Sequence, residues 1–227
     1  MQLRKVLLFC YFLASSAEIA NGFFLQARRA RKAAKNVQDI ITSRRTINEF
    51  EESLPTEWED VITKGIEAAC QAPNHKRTEP WRFHLLGQES VRNVCELNAK
   101  LVAEKKGQAA GDAKLKRWLA MPGWMVVTCL KQEGDGPVTM EDPMGLARED
   151  YAACCCAVQN FCLSLHAHGM GTKWTTGPVN FDDEFSKAVG LSSDEFVVGT
   201  IWFGRPVSQP MAPTKKKSMD DILIRHS

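Results

Sequence analysis

The sequence predicts an α+β fold: an antiparallel central sheet with helices packed around it. Apolar, β-branched runs suited to strands stand far apart in the chain, at residues 83–86, 124–130 and 195–203. The segments between them have helical period but unequal number and length. No regular strand–helix–strand series can be written, which argues against a parallel sheet. At 227 residues, 44% hydrophobic and 25% charged, the chain has the composition of one globular domain with extensions.

The first extension is a targeting leader over residues 1–35. Arg4 and Lys5 precede an apolar run at 6–14, and small residues follow as far as Gly22, the pattern of a secretory signal over 1–22. That run is too short to span a bilayer, so no stable membrane insertion is expected once the leader is removed. Residues 23–35 are rich in Arg, Lys and Ala and contain no acid, which makes them transit-like. Signal followed by transit segment favours a plastid, with mitochondrion and endoplasmic reticulum as alternatives. The folded domain is then residues 36–227. Charge is divided the same way: residues 1–36 hold seven of the 29 basic residues and one of the 27 acidic ones, leaving 22 against 26, a body of about −4. A mildly acidic body argues against nucleic-acid binding.

Eight cysteines are present, and Cys10 lies in the leader. The remaining seven make a poor disulfide framework. Cys154, Cys155 and Cys156 are consecutive; on a helix their side chains point about 100° apart and cannot converge on one ion. With no CxxC pair either, they read as small core residues, and no metal site is expected.

In order, Val37, Ile40 and Ile41 are spaced for a short helix that Asn36 can cap. Arg44, Arg45 and Thr46 end it. Pro55 and Thr56 open a second helix, which runs to Cys70 and carries Val61, Ile62, Ile66 and Ala69 on one side. A stiff loop follows between Pro73 and Pro80, holding Asn74, His75, Lys76, Arg77, Thr78 and Glu79. With Trp81 opening the next strand, it is suited to be a shelf for a flat, polar-edged ligand. Residues 89–119 read as one polar helical region, stopped at Met121-Pro122. Residues 124–130 are a continuous apolar run, the mark of a buried central strand, and 131–143 a Gly/Pro loop. Residues 146–168 are the longest apolar helix and an unusually small-sided one, suited to the core or a subunit interface; Gly169 and Gly171 stop it. A loop at 173–177, a short helix near 182–189 and the strand at 195–203 complete the body. Beyond Pro206, Ser218 and Asp221 can cap a last turn. Ile222, Leu223 and Ile224 have no domain left to bury them, so the arm 206–227 calls for a partner surface.

No GxGxxG, Walker loop, HExxH or GxSxG occurs, so dinucleotide-fold, P-loop, zincin and hydrolase readings lack their mechanical parts. The chain offers instead guanidinium forks and a hydroxyl at Arg44-Arg45-Thr46, suited to a phosphate, and polar edges with aromatic faces at 74–81 and 173–176. A phosphate at one end and a planar polar ring at the other describe flavin mononucleotide.

Four motifs stand in register over about residues 37–220: Arg44-Arg45-Thr46 with Phe50 close by, Ala72-Pro73 leading to Pro80-Trp81-Arg82-Phe83, His168-Gly-Met-Gly171 leading to Trp174, and Val197-Val198-Gly199 leading to Gly204 and Pro206. Together they resemble the nitroreductase family. Ala72-Pro-Asn-His-Lys76 is similar to the small bacterial subgroup with Ala-Pro-Asp-His-Lys at this place. The resemblance implies a two-fold homodimer whose C-terminal arms are exchanged, with two FMN sites at the interface. It assigns Arg44, Arg45 and Thr46 to the phosphate and ribityl chain, Asn74 and His75 to the loop beside the flavin, and Trp174, Thr175 and Thr176 to a second FMN segment. Lys216 or Lys217 stands where the family has a basic tail residue on the phosphate. Arg77 and Glu79 depart from the Asn and Gln of many members; Glu79 is expected to point away or to pair with Arg77 or Lys76.

The function implied is an FMN-dependent oxidoreductase that passes electrons from NADH or NADPH to a small electron-poor acceptor, a nitroaromatic, quinone or similar compound, by a ping-pong mechanism. The acceptor pocket is expected from residues 103–120 and 131–145. No side chain is needed as a nucleophile; His75 is the one candidate proton donor, beside its role in placing FMN. The rival reading is a flavin-binding redox sensor or storage protein without turnover.

Overall fold

A computed structural model describes residues 36–131, 146–212 and 216–226. The expected leader and nearly all of the 131–143 loop lie outside them. The described residues fall into two units that divide between Ser43 and Arg44. Of the first, residues 36–43 form helix α1, with Asn36 already inside the helix rather than capping it.

The second unit contains α2 (Trp58–Ala69), β1 (Trp81–Leu85), α3 (Gln88–Lys106), α4 (Gln108–Leu119), β2 (Gly123–Leu130), α5 (Leu146–Ala167), β3 (Gly171–Thr175), α6 (Asp183–Val189) and β4 (Glu195–Gly204). The strands form one four-stranded sheet in the order β1-β2-β4-β3, antiparallel throughout. The expected fold class holds, with one strand more than the sequence suggested. The addition is β3, expected as a loop at 173–177. It is an edge strand in which Lys173 pairs with Trp202 and Trp174 with Ile201. Five residues with polar members carry too little apolar signal to be read as a strand.

β2 is buried along nearly all its length, as a central strand should be. Opposite it, β4 carries a bulge: Val127 faces Gly199 and Thr128 faces Val197, leaving Val198 as the extra residue. Gly199 matters here, because a Cβ at this position would stand 2.2 Å from Nε1 of Trp174. The indole lies against bare backbone.

Helices cover both faces of the sheet. On one, α2 and α5 bury Val61, Ile62, Phe161 and Leu165 against Met125, Val127 and Phe203. Gly65 lets these helices approach closely, since a Cβ there would meet Leu165 at 2.5 Å. On the other, α3, α4 and α6 enclose Trp118, Trp124 and Trp202, whose rings meet edge to face with centroids 5.7, 5.2 and 5.4 Å apart. The helical region at 89–119 is two helices, parted at Gly107 with φ 88°; the polar pattern continues across the break and hides it.

Trp81 is 7% exposed and packs in the core, so it lends no open ring to the loop before it. Cys95, Cys129, Cys154 and Cys162 are buried, as small core residues should be, while Cys70 and Cys156 are exposed. No metal-binding cluster occurs among the described residues, and none of their helices is long and apolar enough to cross a membrane. In the arm, Ser218 and Asp221 form the expected capping pair, with both Ser218 donors 2.8 Å from Asp221 Oδ2. Met219, Ile222, Leu223 and Ile224 are exposed, and Met211 is 92% exposed.

Candidate functional site

The segment at Arg44–Thr46 is tied to the sheet edge. Thr46 bridges Thr172 in parallel, and the Ile47 N–H donates to the Thr172 carbonyl at 3.0 Å. Ile47 is buried against Gly171, where a Cβ would come within 2.5 Å of it. This places Arg44 and Thr46 beside β3 and the outer half of α5. Between them opens a cleft of about 380 Å³, lined by Arg44, Thr46, Trp174 and Thr176 together with Gln159, Cys162 and Thr172.

The cleft is cationic at one end. Burial lowers the pKa of His166 on α5, and the charges of Arg44 and Arg45 lower it further, so both guanidinium groups lie close to the imidazole. Burial pushes the Cys162 thiol up, against the pull of the Thr172 hydroxyl and Arg44. Lys173, on the opposite face of β3, stands over Trp202 and donates to Asn48 Oδ1 at 2.8 Å. Trp174, 38% exposed, gives the cleft an aromatic wall.

The loop at 74–79 is built at the other end of α5. Thr78 Oγ1 donates to Asp150 Oδ1 at 2.5 Å, Asn74 Nδ2 donates to Thr78 Oγ1 at 3.0 Å, and the Glu79 N–H donates to Asn74 Oδ1 at 2.8 Å. His75 Nδ1 pairs with Glu149. Lys76, Arg77 and Glu79 have φ of 55°, 53° and 46°. Each left-handed residue without glycine's freedom costs about 1–2 kcal/mol, and the surrounding bonds must hold it there. The Glu79 side chain makes no ion pair with Arg77 or Lys76 among the described residues.

The predicted residues therefore fall into groups. Arg44, Thr46, Trp174 and Thr176 share the cleft, with Arg45 beside it. Thr175 is half-buried in β3. Asn74 and His75 belong to the Asp150 end of α5, about 18 Å along the helix axis from Cys162 at 1.5 Å per residue. Lys216 and Lys217 are exposed on the arm. Gln159 and Cys162 on α5 and Thr172 on β3 were not anticipated, because they become neighbours only once β3 is known to lie alongside α5. Glu149 and Asp150 had a signal, as the only acids of α5. Of the expected acceptor segments, 103–120 is the end of α3 and α4, not a loop, and 132–145 lies outside the described residues. A larger groove of about 700 Å³ lies between the starts of α2 and α3, with walls such as Leu54, Trp58, Val91 and Met121. None of the predicted cofactor-binding residues lines it, but Leu119, at the end of the expected 103–120 acceptor segment, does.

The sequence profile named "Nitroreductase family" matches residues 41–205. The chain belongs to the nitroreductase family. A curated relative from Bacillus subtilis strain 168, named "Putative NAD(P)H nitroreductase YfhC", is 31% identical over 180 residues, covering 77% of this chain and 86% of that protein. Among solved structures, a nitroreductase-like family protein from Bacillus cereus superposes with a TM-score of 0.67 at 26% identity, over 84% of this chain and 96% of the other. A nitroreductase with bound FMN from Desulfitobacterium hafniense DCB-2 shares the fold, with a TM-score of 0.62 at 16% identity over 84% and 98% of the chains.

Proposed function

We propose that this nitroreductase-family chain is an FMN-dependent oxidoreductase, active as a homodimer, that passes electrons from NADPH or NADH to an electron-poor organic acceptor such as a nitroaromatic compound or quinone. The observation that carries the reading is the cleft in which Arg44, Thr46, Trp174 and Thr176 converge. The name of the Bacillus subtilis relative is in keeping with it. The donor set fits the cofactor: guanidinium groups and a hydroxyl for a phosphate, further hydroxyls and the Gln159 amide for a polyol, and an indole wall for a ring. Bound there, FMN would supply the hydride-transfer chemistry between a nicotinamide and the acceptor.

The chain's own residues bind, orient and exclude water. Arg44 and Arg45 would hold the phosphate with Thr46 donating to it, and Thr172, Thr176 and Gln159 would serve the ribityl chain. Trp174, backed by Gly199, walls the ring. Asn74 and His75 lie too far along α5 to serve the same cleft, so in this reading they come from the partner subunit. With Nδ1 engaged by Glu149, His75 keeps Nε2 outward and can hold a proton for a reduced acceptor. In this reading Lys216 or Lys217 on the arm is a further cation for the phosphate.

Arg44→Ala tests the cleft directly. A hydrogen bond to a charged group contributes about 1.5–3 kcal/mol, so FMN binding weakens by about 10- to 150-fold, read by quenching of flavin fluorescence, with the fold unchanged by circular dichroism. Unaltered affinity would remove the phosphate from this cleft.

A further inference from the structure

Asp150 is 0% exposed, yet its carboxylate has little to hold it there. Oδ1 accepts from Thr78 Oγ1 at 2.5 Å and, at the limit of a hydrogen bond, from Asn74 Nδ2 at 3.5 Å. Oδ2 meets no donor, and no cation pairs with Asp150 among the described residues. Its place near the start of α5 favours a negative charge, but that does not replace water at both oxygens. Fold stability alone would be served better by an apolar side chain at such a site. What the carboxylate does hold is the loop.

The bonds run in sequence. Asp150 fixes the Thr78 hydroxyl, Thr78 and Asp150 take the Asn74 amide nitrogen, and the Asn74 oxygen takes the Glu79 N–H at 2.8 Å. These bonds bracket the three left-handed residues Lys76, Arg77 and Glu79. Both ends of the Asn74 amide are used in this way, so Asn74 is committed to shaping the loop. His75, Lys76 and Arg77 are left exposed on its outer surface.

We propose that Asp150 is a positioning residue for the flavin site: through Thr78 and Asn74 its buried carboxylate locks residues 74–79 in the conformation, left-handed at Lys76, Arg77 and Glu79, that presents His75 and Arg77 to the flavin ring. The flavin half of this proposal rests on the function proposed above; the loop half stands on the geometry alone.

The test compares wild type with Thr78→Val, Asp150→Asn and Thr78→Ser in the full chain. Hydrogen exchange is measured without FMN, and the visible circular dichroism of the flavin is measured with it. In Thr78→Val and Asp150→Asn, exchange of peptides within 73–80 rises about tenfold or more, while peptides of β2 and the second half of α5 keep their protection. The bound-flavin spectrum changes in the same two variants, and Thr78→Ser, which keeps the hydroxyl, restores both readouts. Should Asp150→Asn fail to fold, Thr78→Val decides the outcome, because it leaves the buried carboxylate in place. Unchanged exchange in 73–80, or a rise spread over the whole chain, overturns the positioning role. A looser loop with an unchanged flavin spectrum overturns the link to flavin while the loop mechanism stands. A wild-type chain that takes up no FMN overturns the function reading and that link with it, and the exchange data still judge the lock.

Discussion

Glu195 opens β4 with its carboxylate nearly out of water, accepting from Thr128 Oγ1 and paired with His84 Nε2 at 2.7 Å. Burial by itself raises such a carboxyl; the Thr128 hydroxyl and His84 outweigh it and bring the pKa below its ordinary 4.5. The folded state therefore binds this proton less tightly than the unfolded chain does. The stabilisation is present above the ordinary carboxylate range and is lost as pH falls through the lowered folded value. Urea unfolding followed from pH 7 down to about pH 3 is expected to show wild type losing stability on the acid side, with a flatter profile in Glu195→Gln. Parallel profiles would contradict this. Cys95 illustrates the opposite balance: burial first, then the neighbouring Glu96 charge, pushes its thiol up to about 12, which leaves it an inert core residue. At this scale the candidate site was partly legible. Arg44, Thr46, Trp174 and Thr176 stood out because they fall in recognisable motifs. Gln159, Cys162 and Thr172 did not, because they become neighbours only through the pairing of β3 with β4 and its packing on α5.

Among the elements, α5 positions both candidate regions: Glu149 and Asp150 hold the loop near its start, and Gln159 and Cys162 line the cleft further on. Its Phe161 and Leu165 pack so closely on α2 that Gly65 has no room for a Cβ. Gly65→Ala is expected to destabilise by about 1–3 kcal/mol through overpacking against Phe161 and Leu165, seen as a Tm lower by several degrees. An unchanged Tm would mean that the two helices separate more easily than their packing indicates. Long elements with strong apolar runs, α5, β2 and β4, were legible from sequence. β3 was not, because an edge strand of five residues takes its stability from pairing with β4 and not from its own composition. The Gly107 break was missed because the polar pattern continues across it, and the burial of Trp81 because it depends on what packs against the chain.

For the whole molecule, the two halves of the proposed site lie at opposite ends of one helix, and the arm exposes Met211, Met219, Ile222, Leu223 and Ile224. The proposed two-fold dimer would account for both features, by bringing the loop of one subunit to the cleft of the other and by covering the arms. Removing residues 206–227 is expected to give a monomer in analytical ultracentrifugation and to abolish FMN retention. A truncated chain that stays dimeric and yellow would contradict arm exchange.

The most direct measurement is the absorption spectrum of the chain from residue 36 onward, recorded anaerobically before and after adding NADPH and then NADH. Flavin bands at about 370 and 450 nm that bleach with either nucleotide and return on adding a quinone or nitroaromatic compound are the predicted result. Bands that never bleach would contradict turnover and favour the sensor or storage reading, and a colourless protein that takes up no added FMN would contradict the flavin site itself.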